Sequence, residues 1–259
     1  MRVLVTFAVE AEFAPWLSLR KFQKRTLISD HCEVEWYVFE TQRGPDTVWV
    51  VLTGMGAEGR KKTYLLGVRA KEAGVDAFIS SGLAGALRAE HLVGQVIAPT
   101  NIGTLREAYE VAAFSRLLDL AKENGAKIVQ ALLTSDHIVE TREEKARLAF
   151  FGDAVDMESN RLMRELSGEG IPSVTVRAIS DASDEDLPID FDQCLSPEGK
   201  VKPIPLLQRL VRRPSKIRAL VRFGVRSKKA AASLASFLDS FTAALTPEAV
   251  RADLGVAAK

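Results

Sequence analysis

The chain of 259 residues is 47% hydrophobic and 27% charged, which suffices for one large α/β domain or two small ones. Its two cysteines, Cys32 and Cys194, are far apart and form no CxxC pair, which excludes a disulfide framework or a zinc site and favours a reducing cytoplasm. No apolar stretch near the start is long enough for a signal peptide or a transmembrane helix.

Apolar runs alternate with amphipathic stretches along the first 180 residues or so. We predict strands at residues 3–5, 32–40, 48–52, 77–80, 94–99, 126–133, 154–156 and 174–179, and helices near residues 11–22, 57–73, 107–123 and 158–168. Such alternation predicts an α/β sheet, in which ligands bind outside the strand ends. We expect one domain over residues 1–198 and a basic helical extension over residues 199–259.

Two glycine-containing segments follow predicted strands and would let a ligand approach the backbone. They are residues 53–56 (TGMG), which include Met55, and residues 81–85 (SGLAG), which include Gly82 and Leu83. Neither has the GxGxxG or Walker spacing, so no dinucleotide, ATP or other cofactor is expected. The three histidines do not cluster, and no metal site is predicted.

A carboxylate at the end of a short strand is a candidate ligand for a sugar. Glu158 lies in residues 155–159 (VDMES), where it could accept hydrogen bonds from vicinal hydroxyls while Met157 supplies an apolar wall. The alternative is an acid that caps a helix start, which the spacing alone favours.

Two further acids are candidates for proton transfer. Asp181 follows Ser180 in residues 177–181 (RAISD), where an apolar site would let it hold a proton and donate it to a leaving group. A helix-capping role fits Asp181 equally well. Glu12 could orient a water molecule, but an isolated acid of this kind is more often simply solvated.

Taken in order, these motifs resemble those of the nucleoside phosphorylase / methylthioadenosine–adenosylhomocysteine nucleosidase superfamily, over roughly residues 1–192. Residues 8–12 (AVEAE) resemble AMEEE, TGMG matches SGIG, SGLAG resembles TGSAGG, VDMES matches VEMEA, and RAISD is identical to the family motif. The resemblance implies a three-layer αβα sandwich around a mixed sheet and a homo-oligomer.

The resemblance also assigns roles to individual residues. Asp181 would protonate or hydrogen-bond purine N7, and Glu12 would activate water. Glu158 would bind the ribose 2′- and 3′-hydroxyls, with Met157 against the sugar. In residues 135–139, Ile138 and the backbone of Val139 would face the purine.

One departure from the family pattern favours hydrolysis over phosphorolysis. Leu83 stands where the family has a serine whose hydroxyl helps to hold phosphate, and these turns offer no obvious arginine except Arg60. We therefore predict a purine nucleosidase that releases adenine from a 5′-substituted adenosine. The alternatives are a purine nucleoside phosphorylase and a non-catalytic nucleoside-binding or membrane-docking protein.

The C-terminal segment is strongly basic. Residues 200–229 contain eleven Lys and Arg and no acid, and this tail resembles that of the hopanoid-associated branch, whose proposed substrate is adenosylhopane. Residues 203–229 could form a basic amphipathic helix that contacts a membrane on its cytoplasmic face, or a helix packed on the domain with a solvated basic side. Phe223 is the only aromatic residue in this patch, so nucleic-acid binding is not expected.

Overall fold

The structure is a computed structural model that describes residues 1–28, 35–54, 63, 65–105, 111–188 and 216–256. The described strands are β1 (Arg2–Phe7), β2 (Gln23–Ile28), β3 (Glu35–Arg43), β4 (Asp46–Leu52), β5 (Ala77–Ala86), β6 (Val96–Thr104), β7 (Val111–Ala112), β8 (Lys127–Thr134), β9 (Ala154–Asp156) and β10 (Ser173–Asp181). The described helices are α1 (Glu10–Leu19), α2 (Leu66–Glu72), α3 (Ser115–Glu123), α4 (Arg142–Leu148), α5 (Ser159–Gly168), α6 (Lys216–Ala244) and α7 (Pro247–Val256).

The described strands form one mixed sheet in the order β10-β6-β8-β9-β5-β1-β4-β3-β2, with β7 paired to β6. β5 also pairs with β10 in parallel, so that β5, β10, β6, β8 and β9 close into a ring. β1 lies between β4 and β5, parallel to both. The ends of β1, β5 and β10 therefore meet in one region of the sheet.

Helices cover both faces of the sheet. One apolar cluster joins Phe13 and Trp16 of α1 to Phe241 of α6 and to residues of β1 and β10. A second cluster on the opposite face joins Leu66 of α2 and Leu162 of α5 to β5 and β6. The predicted layered fold with a mixed central sheet is confirmed, and the closed ring is a feature that the sequence did not indicate.

The C-terminal helix α6 has two different halves. From Ala230 onward its inner side chains are buried against α1 and β10, and Asp239 accepts hydrogen bonds from Trp16 of α1 and from Arg20, which follows α1. Before Ala230, three aliphatic side chains project into solvent: Ile217, Val221 and Val225. Among the described residues, no helix is long and apolar enough to cross a bilayer. The expected domain boundary near residue 198 lies outside the described residues.

Two local predictions were wrong, and one strand was missed. Residues 81–85 do not form a turn after a strand, because β5 continues through them to Ala86. The helix predicted near residues 107–123 begins only at Ser115, because Val111–Ala112 pair with β6 as strand β7. Strand β2 was not predicted, because its sequence, QKRTLI, has four polar residues in a row and pairs with β3 at the edge of the sheet. In all three places tertiary pairing overrides a weak local pattern.

We expect Leu238→Ala to lower the free energy of unfolding by about 2–5 kcal/mol, because Leu238 is fully buried in the cluster that joins α6 to the sheet. Val225→Ala is the matched control and should change it by less than about 0.5 kcal/mol, since Val225 is 63% exposed. Urea unfolding measures both. Equal effects would show that α6 is not part of the folded core.

Candidate active site

Glu12 is held at the start of α1 by the backbone. Its Oε2 atom accepts hydrogen bonds from the N–H groups of Ala8 (3.1 Å) and Val9 (3.4 Å), and its Oε1 atom accepts one from Leu83 (3.0 Å). Burial raises the pKa of Glu12, while these hydrogen bonds and the charge of Arg177 oppose the rise. The carboxylate is therefore fixed between β1 and β5, and is not a freely solvated acid.

Gly82 lies beside Glu12, but its own backbone explains the glycine. Its φ of +152° is one that side chains disfavour, whereas a Cβ here would lie 3.4 Å from both carboxylate oxygens of Glu12, which is ordinary van der Waals contact. The backbone conformation therefore accounts for the glycine at this position of the SGLAG segment.

Glu158 occupies the N-cap position of α5 without capping the helix. Asp156 takes that role, since its carboxylate accepts a hydrogen bond from the Ser159 N–H (3.2 Å). The Oε1 atom of Glu158 is buried and has no hydrogen-bond partner among the described residues. Burial, followed by the negative charges of Asp156 and Glu12, raises the pKa of Glu158 to about 8.

A buried ion pair between Arg177 and Asp156 lies beneath these two glutamates. The Arg177 Nη2 atom lies 2.8 Å from Asp156 Oδ2, and the two side chains are 2% and 1% exposed. The guanidinium also donates to the Ser80 carbonyl and hydroxyl, the Ser159 hydroxyl and the Val176 carbonyl. Together with the bond to Asp156, these acceptors engage all five of its N–H groups.

Glu12 and Glu158 line the same small cavity. Its other described lining residues are Thr6, Ala8, Thr53, Ser81, Gly82, Leu83, Leu162 and Arg177. The cavity has a volume of about 10 Å³, which corresponds to one water molecule. A nucleoside would have to extend beyond this space.

Asp181 does not line that cavity among the described residues. Its Oδ2 atom lies 2.6 Å from the Nζ atom of Lys145, and its Oδ1 atom accepts a hydrogen bond from the Ser180 hydroxyl (2.5 Å). Asp181 and Ser180 line a second cavity of about 160 Å³, closed on one side by Arg222 and Phe223 of α6. The sequence made proton storage on Asp181 conditional on an apolar site, and the structure instead places a buried ammonium group against it.

The remaining predicted site residues are dispersed. Met157 lines a third cavity of about 780 Å³, together with the exposed His137. Val139 is buried in an apolar cluster with Leu133 and Leu148, and Ile138 beside it is partly buried. Met55 lies outside the described residues. The roles predicted for Met55, Met157, Ile138 and Val139 in binding the substrate stay predictions.

Glu90, His91 and Asp153 form a cluster that could hold a metal ion, with ligand atoms within 4.8 Å of one another. Asp153, however, is already compensated by Arg88 (3.5 Å), and Lys127 lies 3.4 Å from the His91 ring. The cluster therefore fits a structural role for His91.

Sequence reasoning missed the importance of Lys145. It lies in a charged stretch, EEKAR, that is typical of a solvated helix, yet its side chain is fully buried. The only signal in the sequence is the three-residue spacing from Lys145 to the buried Leu148, which places both on one face of α4.

Comparison with known families and structures identifies relatives of the whole fold. The family model of the phosphorylase superfamily matches residues 2–212. A futalosine hydrolase mutant of Helicobacter pylori superposes with a TM-score of 0.68 and 18% identity, over 95% of this chain and 100% of that chain. A 5′-methylthioadenosine/S-adenosylhomocysteine nucleosidase of the same species, solved with butyl-thio-DADMe-Immucillin-A, gives 0.68 and 18%, over 95% and 99%.

A third structure, a putative 5′-methylthioadenosine/S-adenosylhomocysteine nucleosidase from Francisella philomiragia, gives a TM-score of 0.66 and 20% identity, over 94% of this chain and 99% of that chain. No curated protein matches the sequence. At these identities the structural likeness establishes the fold, and the chemistry must be argued from the residues of this chain.

We expect Glu158→Gln to become progressively more stable relative to the unmodified protein between about pH 5 and about pH 8. The pKa of Glu158 is raised from 4.5 to about 8, so the folded chain keeps a proton that the unfolded chain releases. The free energy of unfolding therefore falls as the pH rises through this range, and glutamine removes that contribution. Urea unfolding across the range measures it. Glu10→Gln, at an exposed position of α1, should show no such trend, and a constant offset for Glu158→Gln would contradict the assignment.

Proposed function

The chain belongs to the phosphorylase superfamily, and on this premise we propose that it is a nucleosidase that hydrolyses the N-glycosidic bond of a purine nucleoside. The observation that carries the proposal is the pair Glu12 and Glu158, which face one water-sized cavity beside a fully engaged arginine. One carboxylate is oriented by backbone N–H groups, and the other has a buried oxygen without a partner.

Glu158 suits the sugar end of the substrate. A ribose hydroxyl that donates to the Oε1 atom would supply the missing hydrogen bond and favour the ionised carboxylate. Cleavage of the glycosidic bond develops positive charge on the sugar, and carboxylates already in place stabilise that charge without reorganisation. Both Glu158 and Glu12 would contribute.

Glu12 suits the activation of water. In the proposed step the water oxygen bonds to C1′, Glu12 accepts the water proton, and the C1′–N9 electrons leave with the purine. Three backbone N–H groups hold Glu12 in one orientation, so a water molecule in the cavity would meet a preorganised acceptor. Asp181 would assist at the base end through N7.

The same cavity is unsuited to phosphate. Arg177 is the only cation among its described lining residues, and each of its N–H groups already has an acceptor. A phosphate would also lie against two acids, Glu12 and Glu158, which add no positive charge and repel it whenever they are ionised. These contacts support hydrolysis over phosphorolysis.

For the substrate we propose a 5′-substituted adenosine with an apolar substituent, adenosylhopane being the candidate that the resemblance to the hopanoid-associated branch suggests. Leu83 supports this, since it places an apolar side chain at the cavity where the family has serine. The first half of α6 supports it independently. Ile217, Val221 and Val225 are 45%, 61% and 63% exposed at four-residue intervals, next to the exposed Arg218 and Arg222.

Such an aliphatic stripe with flanking arginines suits the surface of an anionic bilayer. We therefore propose that the first half of α6 contacts membranes peripherally and brings the protein to a lipid-linked nucleoside. The second half of α6 remains part of the core.

Purified protein should release free adenine from 5′-alkylthioadenosines without phosphate. Glu12→Gln should lower kcat by about 10²–10⁴-fold, because the water loses its proton acceptor. Glu10→Gln, two residues earlier and exposed, is the matched control. Chromatography of the products with and without phosphate measures the reaction. A sugar 1-phosphate as product would contradict hydrolysis, and binding without release would indicate a non-catalytic protein.

Vesicles of phosphatidylcholine and phosphatidylglycerol should bind the protein, and the triple substitution Ile217→Ser, Val221→Ser, Val225→Ser should weaken binding by about tenfold or more. Substituting these exposed positions leaves the buried half of α6 intact, unlike deletion of the helix. Leu92→Ser, at a residue that is 68% exposed elsewhere, is the control. Equal sedimentation of all variants with vesicles would remove the membrane proposal.

A further inference from the structure

Lys145 of α4 is a fully buried cation whose role no motif explains. Its Nζ atom lies 2.6 Å from Asp181 Oδ2, 2.8 Å from the Ala182 carbonyl oxygen and 3.0 Å from the Glu185 carbonyl oxygen. We propose that Lys145 is a positioning residue, which acts on the departing base only through the Asp181 carboxylate. The inference rests on the proposed nucleosidase function.

The geometry restricts how Lys145 can act. An ammonium group has three N–H donors, and each has an acceptor at hydrogen-bond distance. The side chain is also 0% exposed, so it has neither a free donor nor a path to a substrate. Any influence on the reaction must therefore pass through Asp181.

The Asp181 carboxylate is held by two hydrogen bonds, from Lys145 to Oδ2 and from the Ser180 hydroxyl to Oδ1. A Cβ at Gly85 would lie 3.0 Å from Oδ2, so the glycine lets the carboxylate lie against β5. This arrangement fixes the orientation of Asp181 before any substrate arrives, which is what a group acting on N7 requires.

Attachment of the following loop does not depend on Lys145 alone. The Leu187 N–H donates to the Glu140 carbonyl oxygen (2.7 Å), and the Arg142 N–H donates to Asp186 Oδ1 (2.9 Å). Burying a lysine only to attach this loop would be costly, because an ammonium group must be desolvated. The contact with Asp181 gives the buried ammonium group a charged partner and a role beyond attachment of the loop.

In the proposed step, the Asp181 carboxylate, oriented by the Lys145 ammonium group, accepts a hydrogen bond from the N7–H group of the departing purine. As the C1′–N9 bond breaks, a solvent molecule transfers a proton to N7, so the purine leaves neutral. Solvent receives the proton that Glu12 took from the attacking water, so the net reaction consumes one water.

The first test is a double-mutant cycle in kcat for hydrolysis of 5′-methylthioadenosine. Lys145→Met should lower kcat by about 10²-fold with KM within about threefold, and Lys145→Arg should recover part of the loss. If Lys145 acts through Asp181, the variant Lys145→Met/Asp181→Asn should be no slower than Asp181→Asn alone. Additive losses, or full activity of Lys145→Met, would overturn the inference.

The second test uses 4-nitrophenyl ribofuranoside, whose phenolate leaves without a proton. Lys145→Met should keep hydrolysis of this substrate within about threefold, whereas general distortion of the site would slow both substrates alike and contradict the proposal. Thermal unfolding checks each variant; if Lys145→Met does not fold, Lys145→Gln, which can still donate to the two carbonyls, replaces it. Lys122→Met, at an exposed lysine of α3, is the control. If the unmodified protein hydrolyses no nucleoside, the proposed function itself fails.

Discussion

The arrangement of the site depends on the buried ion pair between Arg177 and Asp156. The guanidinium crosses from β10 to the Ser80 carbonyl of β5 and to the Ser159 hydroxyl at the start of α5, so one side chain links three elements. Both charges are desolvated, and loss of either partner would leave the other uncompensated, at a cost of about 3–5 kcal/mol. Because Asp156 is fixed in this way and also caps α5, the chain two residues later is fixed as well, and Glu158 projects into the cavity.

Three carboxylates, those of Asp156, Glu158 and Glu12, surround this single arginine, so the region carries an excess of negative charge. Burial, followed by the charges of Asp156 and Glu12, raises the pKa of Glu158 to about 8, and burial raises that of Glu12, so in the free protein a proton offsets part of the excess. A sugar that becomes cationic at C1′ offers a second way to compensate the same charges. The proton bound by these carboxylates and the cation formed in the proposed reaction thus both compensate the same negative charge.

The sequence predicted most of the fold, because long apolar strands and amphipathic helices carry strong periodic signals. Through the order of the family motifs it also indicated the superfamily, whose membership is confirmed, and it singled out Glu12 and Glu158, which line one cavity and whose roles stay predictions. It failed where a residue's environment is set by distant partners. Lys145 is 36 residues from Asp181, and the contact of its helix α4 with the end of β10 has no local signature. The family resemblance assigns Asp181 and Glu158 to the two ends of one nucleoside. In the structure, however, Asp181 lies with Lys145 beside a different cavity from that of Glu158.

Because α6 is one continuous helix, the packing of its second half fixes the orientation of its first half. A helix turns by about 100° per residue, so one residue inserted near Ser227 would rotate the first half relative to the packed second half. The aliphatic side chains of Ile217 and Val221 would then face sideways, and Arg226 would lose its ion pair with Glu185, whose carbonyl oxygen accepts from Lys145. The number of residues in this helix therefore fixes the direction of its exposed aliphatic side chains relative to the cavity beside Asp181. An insertion or deletion would change that direction, even where substitution of an individual exposed residue would not.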